Sequence, residues 1–215
     1  MRAPARSRMK PASLFAPLAA LLLAALVLAG CGDSVPKLSR VAPGDVVLAF
    51  GDSITYGTGA TPETSYPAVL AGLIGREVVR AGVPGETTRG GLARLPAVLD
   101  EVNPRLVLLC LGGNDLLRRG NHDDTAENLR AMVRLIRERG IDVVLIAVPA
   151  PKLLGDPPEF YARVAEEFGV PLEAKVVKDI LYDARLKADP IHPNADGYRR
   201  LAEALARLLQ DAGAI

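Results

Sequence analysis

A serine near the start of the chain and a histidine near its end are the residue types that a hydroxyl nucleophile and its base require. Ser53 lies in the segment Gly51-Asp52-Ser53, directly after an apolar run. A serine hydroxyl is a weak nucleophile at neutral pH, so a base must remove its proton. The chain holds two histidines, His122 and His192, and one of them is therefore the candidate base.

The segment Asp189-Pro190-Ile191-His192-Pro193-Asn194 favours His192. Asp189 stands three residues before the histidine, and the two prolines stiffen the link between them. With this spacing the carboxylate can accept a hydrogen bond from Nδ1, which leaves Nε2 free to face a hydroxyl. The same residues also fit a turn in which Asp189 caps the following helix and His192 is incidental. We interpret His122, in a polar loop, as a solvated residue.

Attack on a carbonyl also requires hydrogen-bond donors for the developing oxyanion. The backbone N–H of Ser53 is one candidate, because it lies at a predicted strand-to-helix turn whose amides point outward. Gly85 can bring its amide close because it has no Cβ, and the side-chain amide of Asn114 adds a neutral donor. A plain turn glycine and a turn-forming asparagine are the alternatives for these two residues.

Three residues near these candidates are interpreted as structural. Asp52 is expected to order the turn at Ser53, and Asp115 to bond loop amides. Cys110 lies in an apolar run with no histidine nearby in sequence, so a buried core thiol is its expected role.

Apolar runs that end in polar segments must position these side chains. Residues 46–50 are a continuous apolar run, residues 105–111 and 141–148 are largely apolar, and the shorter segment 77–81 is predicted to be a further strand. Strands that are apolar on both faces are typical of a parallel sheet covered by helices. In such sheets ligands bind beyond the carboxyl ends of the strands, where Ser53, Gly85 and Asn114 follow.

Helical segments alternate with the strands. Residues 88–102 carry an apolar stripe at helical spacing. A capping box at 124–127 predicts a helix that runs through Arg139 and ends at Gly140. Further helices are expected after Pro157-Pro158 and over 195–209. The alternation predicts right-handed crossovers and one three-layer α/β/α domain over residues 45–215.

The amino terminus has the layout of a secretory signal. Residues 1–30 contain no acidic residue. Their four basic residues come first, and an apolar run from Leu14 to Ala29 follows these. Leu28-Ala29-Gly30-Cys31 resembles the lipobox of bacterial lipoproteins, in which the cysteine is lipidated. We therefore expect a signal peptide over residues 1–30, lipidated Cys31 with a tether over 31–44, and a membrane-anchored position in the cell envelope. An uncleaved anchor helix and a plain signal with a chance cysteine are the alternatives.

The composition excludes several classes of function. A net charge of +1, with no basic cluster after residue 10, argues against a nucleic-acid-binding protein. Two cysteines cannot form a disulfide framework, and two histidines leave little for a metal cage. The chain also lacks a P-loop and the G-x-S-x-G motif of α/β-hydrolases.

Four segments together resemble the conserved blocks I, II, III and V of GDSL/SGNH hydrolases. They are GDSITYG, AGVPGETT with GLARLP, LGGND and DPIHPN. The likeness extends over almost all of the chain after the signal, and it is greatest to the thioesterase I/protease I/lysophospholipase L1 type and to arylesterases. The resemblance implies a mostly parallel, five-stranded, flavodoxin-like sheet. It also implies Ser53 as nucleophile, His192 as base, Asp189 as orienting acid, and an oxyanion hole of Ser53, Gly85 and Asn114.

The implied activity is that of a serine esterase that forms an acyl-Ser53 intermediate. The expected substrates are aryl esters and short to medium acyl esters, with acyl thioesters and lysophospholipids as further candidates. The resemblance implies no metal or organic cofactor and suggests a monomer. A carbohydrate acetyl-esterase and a catalytically inert binding lipoprotein on the same fold are the alternatives.

The sequence departs from the family pattern at two places. Arg80 stands where close relatives often have asparagine, and Leu116-Leu117 follows GGND where they often have a glycine-containing loop. Leu116 borders the acyl site in the family, so the acyl-chain preference is open. Leu116, Leu117, Leu153 and Leu154 are candidate acyl-chain contacts.

Overall fold

A computed structural model describes residues 35–150 and 155–215 of the chain. The predicted signal segment, the lipidation candidate Cys31, and the candidate acyl contacts Leu153 and Leu154 lie outside these residues. No helix of the described part of the chain is long and apolar enough to cross a membrane.

Five strands form one sheet in the order β2-β1-β3-β4-β5, and every neighbouring pair is parallel. The strands are β1 (Val46–Gly51), β2 (Glu77–Gly82), β3 (Leu106–Cys110), β4 (Asp142–Ile146) and β5 (Leu172–Glu173). In the central pairing, Val47 of β1 lies opposite Leu106 of β3. The predicted α/β fold with a five-stranded sheet is confirmed, and the sheet is parallel throughout.

Eight α-helices and one short 3₁₀ helix connect the strands in the described residues. The helices are α1 (Ser53–Tyr56), α2 (Tyr66–Ile74), α3 (Thr88–Val102), α4 (Gly113–Leu117), α5 (His122–Glu138), α6 (Phe160–Phe168), α7 (Val176–Tyr182) and α8 (Ala195–Asp211), and the 3₁₀ helix is Pro62–Thr64. Side-chain caps fix where the long helices begin. Thr87 Oγ1 accepts the Gly90 N–H at the start of α3, and Asn194 Oδ1 accepts the Gly197 N–H at the start of α8.

The two faces of the sheet pack against different helices. Val47 and Ala49 of β1 belong to the same buried cluster as side chains of α2, α7 and α8. Leu48 and Phe50, which alternate with them, belong to a cluster with α3, α5 and α6. Because both faces of β1 are buried, its apolar run is continuous rather than alternating.

The start of one helix differs from its prediction. Helix α5 begins at His122, not at the predicted capping box, because Asn121 Oδ1 accepts the Asp123 N–H and caps the helix earlier. The compact unit extends from Val35 to Ile215. Within the predicted tether, the Leu38 and Val41 N–H groups donate to carbonyl oxygens of the carboxyl-terminal segment, and Val41 is buried.

Candidate active site

Ser53 follows the carboxyl end of β1 and is the first residue of α1. Asp52 caps α1, because its Oδ1 accepts the Ile54 N–H at 3.0 Å. The short helix then packs closely against the end of β2. A Cβ at Gly82 would lie 2.1 Å from the Tyr56 nitrogen, so glycine is required for this approach. Together these contacts hold the Ser53 hydroxyl at the carboxyl edge of the sheet.

A hairpin-like loop before α8 presents His192. The Ala188 N–H donates to the His192 carbonyl at 2.9 Å, and the Asn194 N–H donates to the Leu186 carbonyl at 3.0 Å. Asp189 lies at the tip of this loop, where its Oδ1 accepts the His192 N–H at 2.9 Å. These hydrogen bonds stabilise the loop in the shape that presents His192.

The structure brings Ser53, His192 and Asp189 into one hydrogen-bonded chain. His192 Nε2 is 3.0 Å from Ser53 Oγ, and His192 Nδ1 is 2.7 Å from Asp189 Oδ2. With the proton on Nδ1 the ring donates to the carboxylate, and the free Nε2 accepts from the serine hydroxyl. This is the geometry required to withdraw the Ser53 proton.

Asp189 is poised to remain ionised in this arrangement. Partial burial raises the pKa of its carboxyl, but hydrogen bonds from the His192 ring and from the Ile191 and His192 amides lower it. The net result is a pKa below the ordinary value of aspartate. A carboxylate that stays charged stabilises the positive charge that develops on the His192 ring during proton transfer.

The three candidate oxyanion donors are placed differently. Ser53 and Asn114 both line the cavity described below, whereas Gly85 does not contribute to its described wall. Gly85 has a φ of +79° and lies in a turn closed by the Glu86 N–H on the Val83 carbonyl. Neither the Ser53 nor the Gly85 N–H donates a hydrogen bond within the described residues. Both amides are therefore available as donors.

The Asn114 side chain has two partners. Its Nδ2 donates to the Glu86 carbonyl at 3.0 Å and lies 3.4 Å from Asp52 Oδ2. Asp115, by contrast, binds the start of α3: its carboxylate accepts the Thr88 N–H at 2.9 Å and the Thr88 hydroxyl at 2.7 Å. Asp115 thus has the structural position that the sequence indicated.

Asp52, the residue before Ser53, has a buried carboxyl with 2% of its surface exposed. Burial raises its pKa from 3.8 to about 7, and the negative charges of Glu86 and Asp115 add to the effect. The hydrogen bond from the Ile54 N–H opposes the shift but does not cancel it. Asp52 is therefore protonated over much of the acidic range.

A cavity of about 510 Å³ opens onto Ser53 and His192. Its volume lies in the range of small-molecule binding sites. The described residues that line it are Asp52, Ser53, Ile54, Gly113, Asn114, Leu117, Val148, Pro149, Ala150, Leu181, Tyr182, Lys187, Pro190, Ile191 and His192. Most of these side chains are apolar, so the cavity suits a molecule with a hydrocarbon part next to a reactive polar group.

Comparison with known proteins agrees with this geometry. Residues 49–200 match the GDSL-like Lipase/Acylhydrolase family. The chain belongs to this family. Its fold is the three-layer SGNH hydrolase fold, and the protein is an SGNH-family serine hydrolase.

Several relatives of this family are esterases or thioesterases. The chain is 32% identical to the thioesterase 1/protease 1/lysophospholipase L1 of Escherichia coli (strain K12), over 80% of this chain and 86% of the relative. It is 33% identical to the esterase TesA of Pseudomonas aeruginosa, over 83% and 94% of the two chains. A crystal structure of TesA superposes with a TM-score of 0.71 and 31% identity, covering 78% of this chain and 99% of the other.

Two leucines that the sequence connected with the acyl site have separate positions. Leu117 lines the cavity and is 41% exposed. Leu116 is buried in the core on the α3, α5 and α6 side of the sheet and does not line the cavity, so its expected role as an acyl contact is wrong. Helical geometry explains the difference, because consecutive residues of α4 point in different directions.

Several cavity residues were missed by sequence reasoning. Val148, Pro149 and Ala150 follow β4, and the rule for carboxyl ends of strands could have identified them. Leu181 and Tyr182 lie at the end of α7, a helix that the apolar pattern did not reveal. Their contribution depends on how α7 packs, for which the sequence carries no local signal.

Two other residues considered in the sequence lie away from Ser53. His122 begins α5, is exposed, and makes an edge contact with Phe160 at 5.7 Å between ring centroids. Cys110 is a free, fully buried thiol at the end of β3, as expected for a core residue. Burial raises the pKa of this thiol well above its ordinary value, which makes it a poor nucleophile.

Proposed function

We propose that this protein is a serine esterase that hydrolyses carboxylic esters through an acyl-Ser53 intermediate. The observation that supports the proposal most strongly is the continuous hydrogen-bonded chain from Ser53 Oγ through His192 to Asp189, at 3.0 and 2.7 Å. Membership of the family and the esterase activity of named relatives agree with it. The roles of the residues follow from their positions.

In the first half of the reaction, Ser53 Oγ attacks the carbonyl carbon of the ester while His192 Nε2 takes the hydroxyl proton. The negative charge on the carbonyl oxygen is stabilised by N–H donors, for which Ser53, Gly85 and Asn114 are the candidates. His192 Nε2 then gives the proton to the departing alcohol oxygen. The carbon–oxygen bond of the ester breaks, and the acyl group remains on Ser53.

In the second half, water takes the place of the alcohol. His192 Nε2 removes a proton from water, whose oxygen attacks the acyl carbon of the intermediate. The proton passes to Ser53 Oγ as the acyl–oxygen bond breaks, and the free acid leaves. Asp189 holds the Nδ1 tautomer throughout, so Nε2 faces the reacting atoms in both halves.

The cavity supports aryl esters and esters of short to medium acyl chains as substrates. Apolar side chains from three parts of the fold, such as Leu117, Val148 and Leu181, provide the surface for a hydrocarbon group. Acyl thioesters and lysophospholipids have the same reactive carbonyl and are further candidates. Rates on 4-nitrophenyl esters from acetyl to palmitoyl, together with the matching thioesters, would establish the preference.

A burst experiment tests the proposed nucleophile. With excess 4-nitrophenyl butyrate, the protein should release about one equivalent of nitrophenol rapidly if deacylation is the slower step, and a fluorophosphonate probe should label Ser53. Ser53→Ala should abolish burst, turnover and labelling, whereas Ser39→Ala, at an exposed serine, should retain all three. Undiminished hydrolysis by Ser53→Ala would refute the assignment. An inert binding protein would show neither turnover nor labelling with any variant.

We also propose that lipidation of Cys31 anchors the protein in the cell envelope. The proposal is supported by the order of the charged segment, the apolar run and Leu28-Ala29-Gly30-Cys31. The full chain expressed in bacteria should incorporate a clickable palmitate analogue and sediment with membranes. Cys31→Ser should lose both properties, and incorporation of the label by this variant would contradict the proposal.

A further inference from the structure

Lys187 brings a positive charge to the wall of an otherwise largely apolar cavity. It lies on the hairpin-like loop that carries His192, where it pairs with Pro193 across an antiparallel bridge. Ser53, His192 and Lys187 all line the same cavity. Apart from the His192 ring, Lys187 has the only basic side chain in the described wall.

The Lys187 ammonium group is held in place by the end of a helix. Its Nζ donates to the Leu181 carbonyl at 3.0 Å, in the last turn of α7. A cation is favoured there, because the carbonyl groups at a helix end carry partial negative charge. An ammonium group has three N–H donors, and this bond uses one of them. Two donors remain for a ligand in the cavity.

No carboxylate neutralises Lys187 in the part of the chain that the structure describes. The salt bridges there include Lys178 with Asp156 and Arg185 with Asp183, but none that involves Lys187. Asp189, two residues further along the loop, is already bound by the His192 ring and by backbone amides. A partly buried cation without a counter-charge favours a ligand that supplies one.

We propose that Lys187 is a specificity residue that selects esters carrying an anionic group, a carboxylate or a phosphate, apart from the bond that is cleaved. The inference rests on the proposed esterase function and adds a substrate class to it. The anionic group forms a charge-assisted hydrogen bond with Nζ, while the hydrocarbon part contacts the apolar wall. The ester carbonyl then meets Ser53 in the same cavity.

Paired substrates that differ only in charge test the proposal. The first pair is 4-nitrophenyl hydrogen suberate, with a free carboxylate on the acyl side, and its neutral methyl ester. The second pair is 3-acetoxybenzoate and its methyl ester, with the charge on the leaving group. Butyl phosphate and butanol, compared as inhibitors of 4-nitrophenyl butyrate hydrolysis, test the phosphate. The measured quantity is the anionic-to-neutral ratio of kcat/KM or, for the inhibitors, of the reciprocal inhibition constants.

We expect the ratio in at least one pair to fall about tenfold in Lys187→Met and to be largely retained in Lys187→Arg, which keeps the charge. In the unmodified protein the ratio should also fall as salt is added. Lys175→Met, at an exposed lysine before α7, is the matched control and should leave every rate unchanged.

Two results would overturn the inference. One is a ratio that does not change in Lys187→Met. The other is an equal loss of the rates on anionic and neutral substrates. That result would show that Lys187 only stabilises α7, through its hydrogen bond to the Leu181 carbonyl. A protein that hydrolyses no ester in either pair would instead refute the proposed function itself. Melting temperatures of the variants show whether each one is folded.

Discussion

The buried carboxyl of Asp52 should make the stability of the fold depend on pH. Its pKa rises from 3.8 to about 7 in the folded protein because burial disfavours the charged form. Between these two pH values the folded state holds a proton that the unfolded state has released. Stability contributed by this group is therefore present in acid and is lost as pH rises toward 7 and above.

The size of the effect follows from the shift. Each pKa unit corresponds to about 1.4 kcal/mol, so a shift of about three units corresponds to about 4 kcal/mol between pH 4 and pH 8. This figure is an upper bound, because water penetration and small movements would relieve part of the desolvation.

Urea unfolding of the protein and of Asp52→Asn, measured from pH 4 to pH 8.5, isolates the contribution of Asp52. The substitution keeps an oxygen for the Ile54 N–H but places an amide opposite Asn114, which lowers stability at every pH by a similar amount. The difference in unfolding free energy between the two proteins should therefore shrink as pH rises. Glu101→Gln, at an exposed position of α3, controls for loss of one acidic charge.

The outcome depends on how the difference in unfolding free energy between the protein and Asp52→Asn changes with pH. A difference that changes by less than about 0.5 kcal/mol over the range would refute the raised pKa of Asp52. A difference that grows with pH would show the opposite sign, meaning that Asp52 is ionised in the folded state and stabilised there by Asn114 and the Ile54 N–H. Either result would change the electrostatic description of the site beneath Ser53.

Three further substitutions test the site and its support. Asp189→Asn should lower kcat by up to about 10⁴-fold in steady-state ester hydrolysis, since the His192 tautomer is no longer held; a loss below tenfold would contradict this role. Asn114→Ala should lower kcat about 10²- to 10³-fold if its amide stabilises the oxyanion. Gly82→Ala should destabilise the fold by about 1–3 kcal/mol in urea unfolding, whereas Gly72→Ala, with open space around it, should be neutral or stabilising by up to about 1 kcal/mol.

The sequence predicted the parts of the fold that carry strong local signals. The apolar runs that became β1, β3 and β4 are buried on both faces, so their composition alone indicated central parallel strands. Helix α3 was predicted with its observed bounds, because its apolar stripe at helical spacing is a local feature. Ser53 and His192 could be selected because a serine hydroxyl needs a base to act as a nucleophile, and the chain has only two histidines to supply one.

Elements whose position depends on packing could not be predicted in this way. Strand β5 has two residues, too few for any periodicity. Helix α7 has seven residues, and its role as a cavity wall comes from its place beside the His192 loop. The early start of α5 depends on Asn121, a cap that competes with the equally plausible one at Asp124.

The strand order explains how distant parts of the chain form one site. The chain leaves β1 for β2 on one side of the sheet and later returns to β3 on the other side, so a crevice opens between the ends of β1 and β3. Ser53 follows β1 and Asn114 follows β3, so the sheet alone places both at this crevice.

His192 follows no strand, and the sheet cannot place it. Its position depends on α8, which packs with α2 in one buried cluster. The Tyr198 hydroxyl of α8 donates to the Thr58 carbonyl at 2.8 Å, just beyond α1. This bond joins the element that follows His192 to the loop that follows Ser53. Strand order thus positions Ser53, the proposed nucleophile, and helix packing positions His192, its proposed base. A change that loosens α8 should therefore impair proton transfer while leaving the Ser53 turn intact.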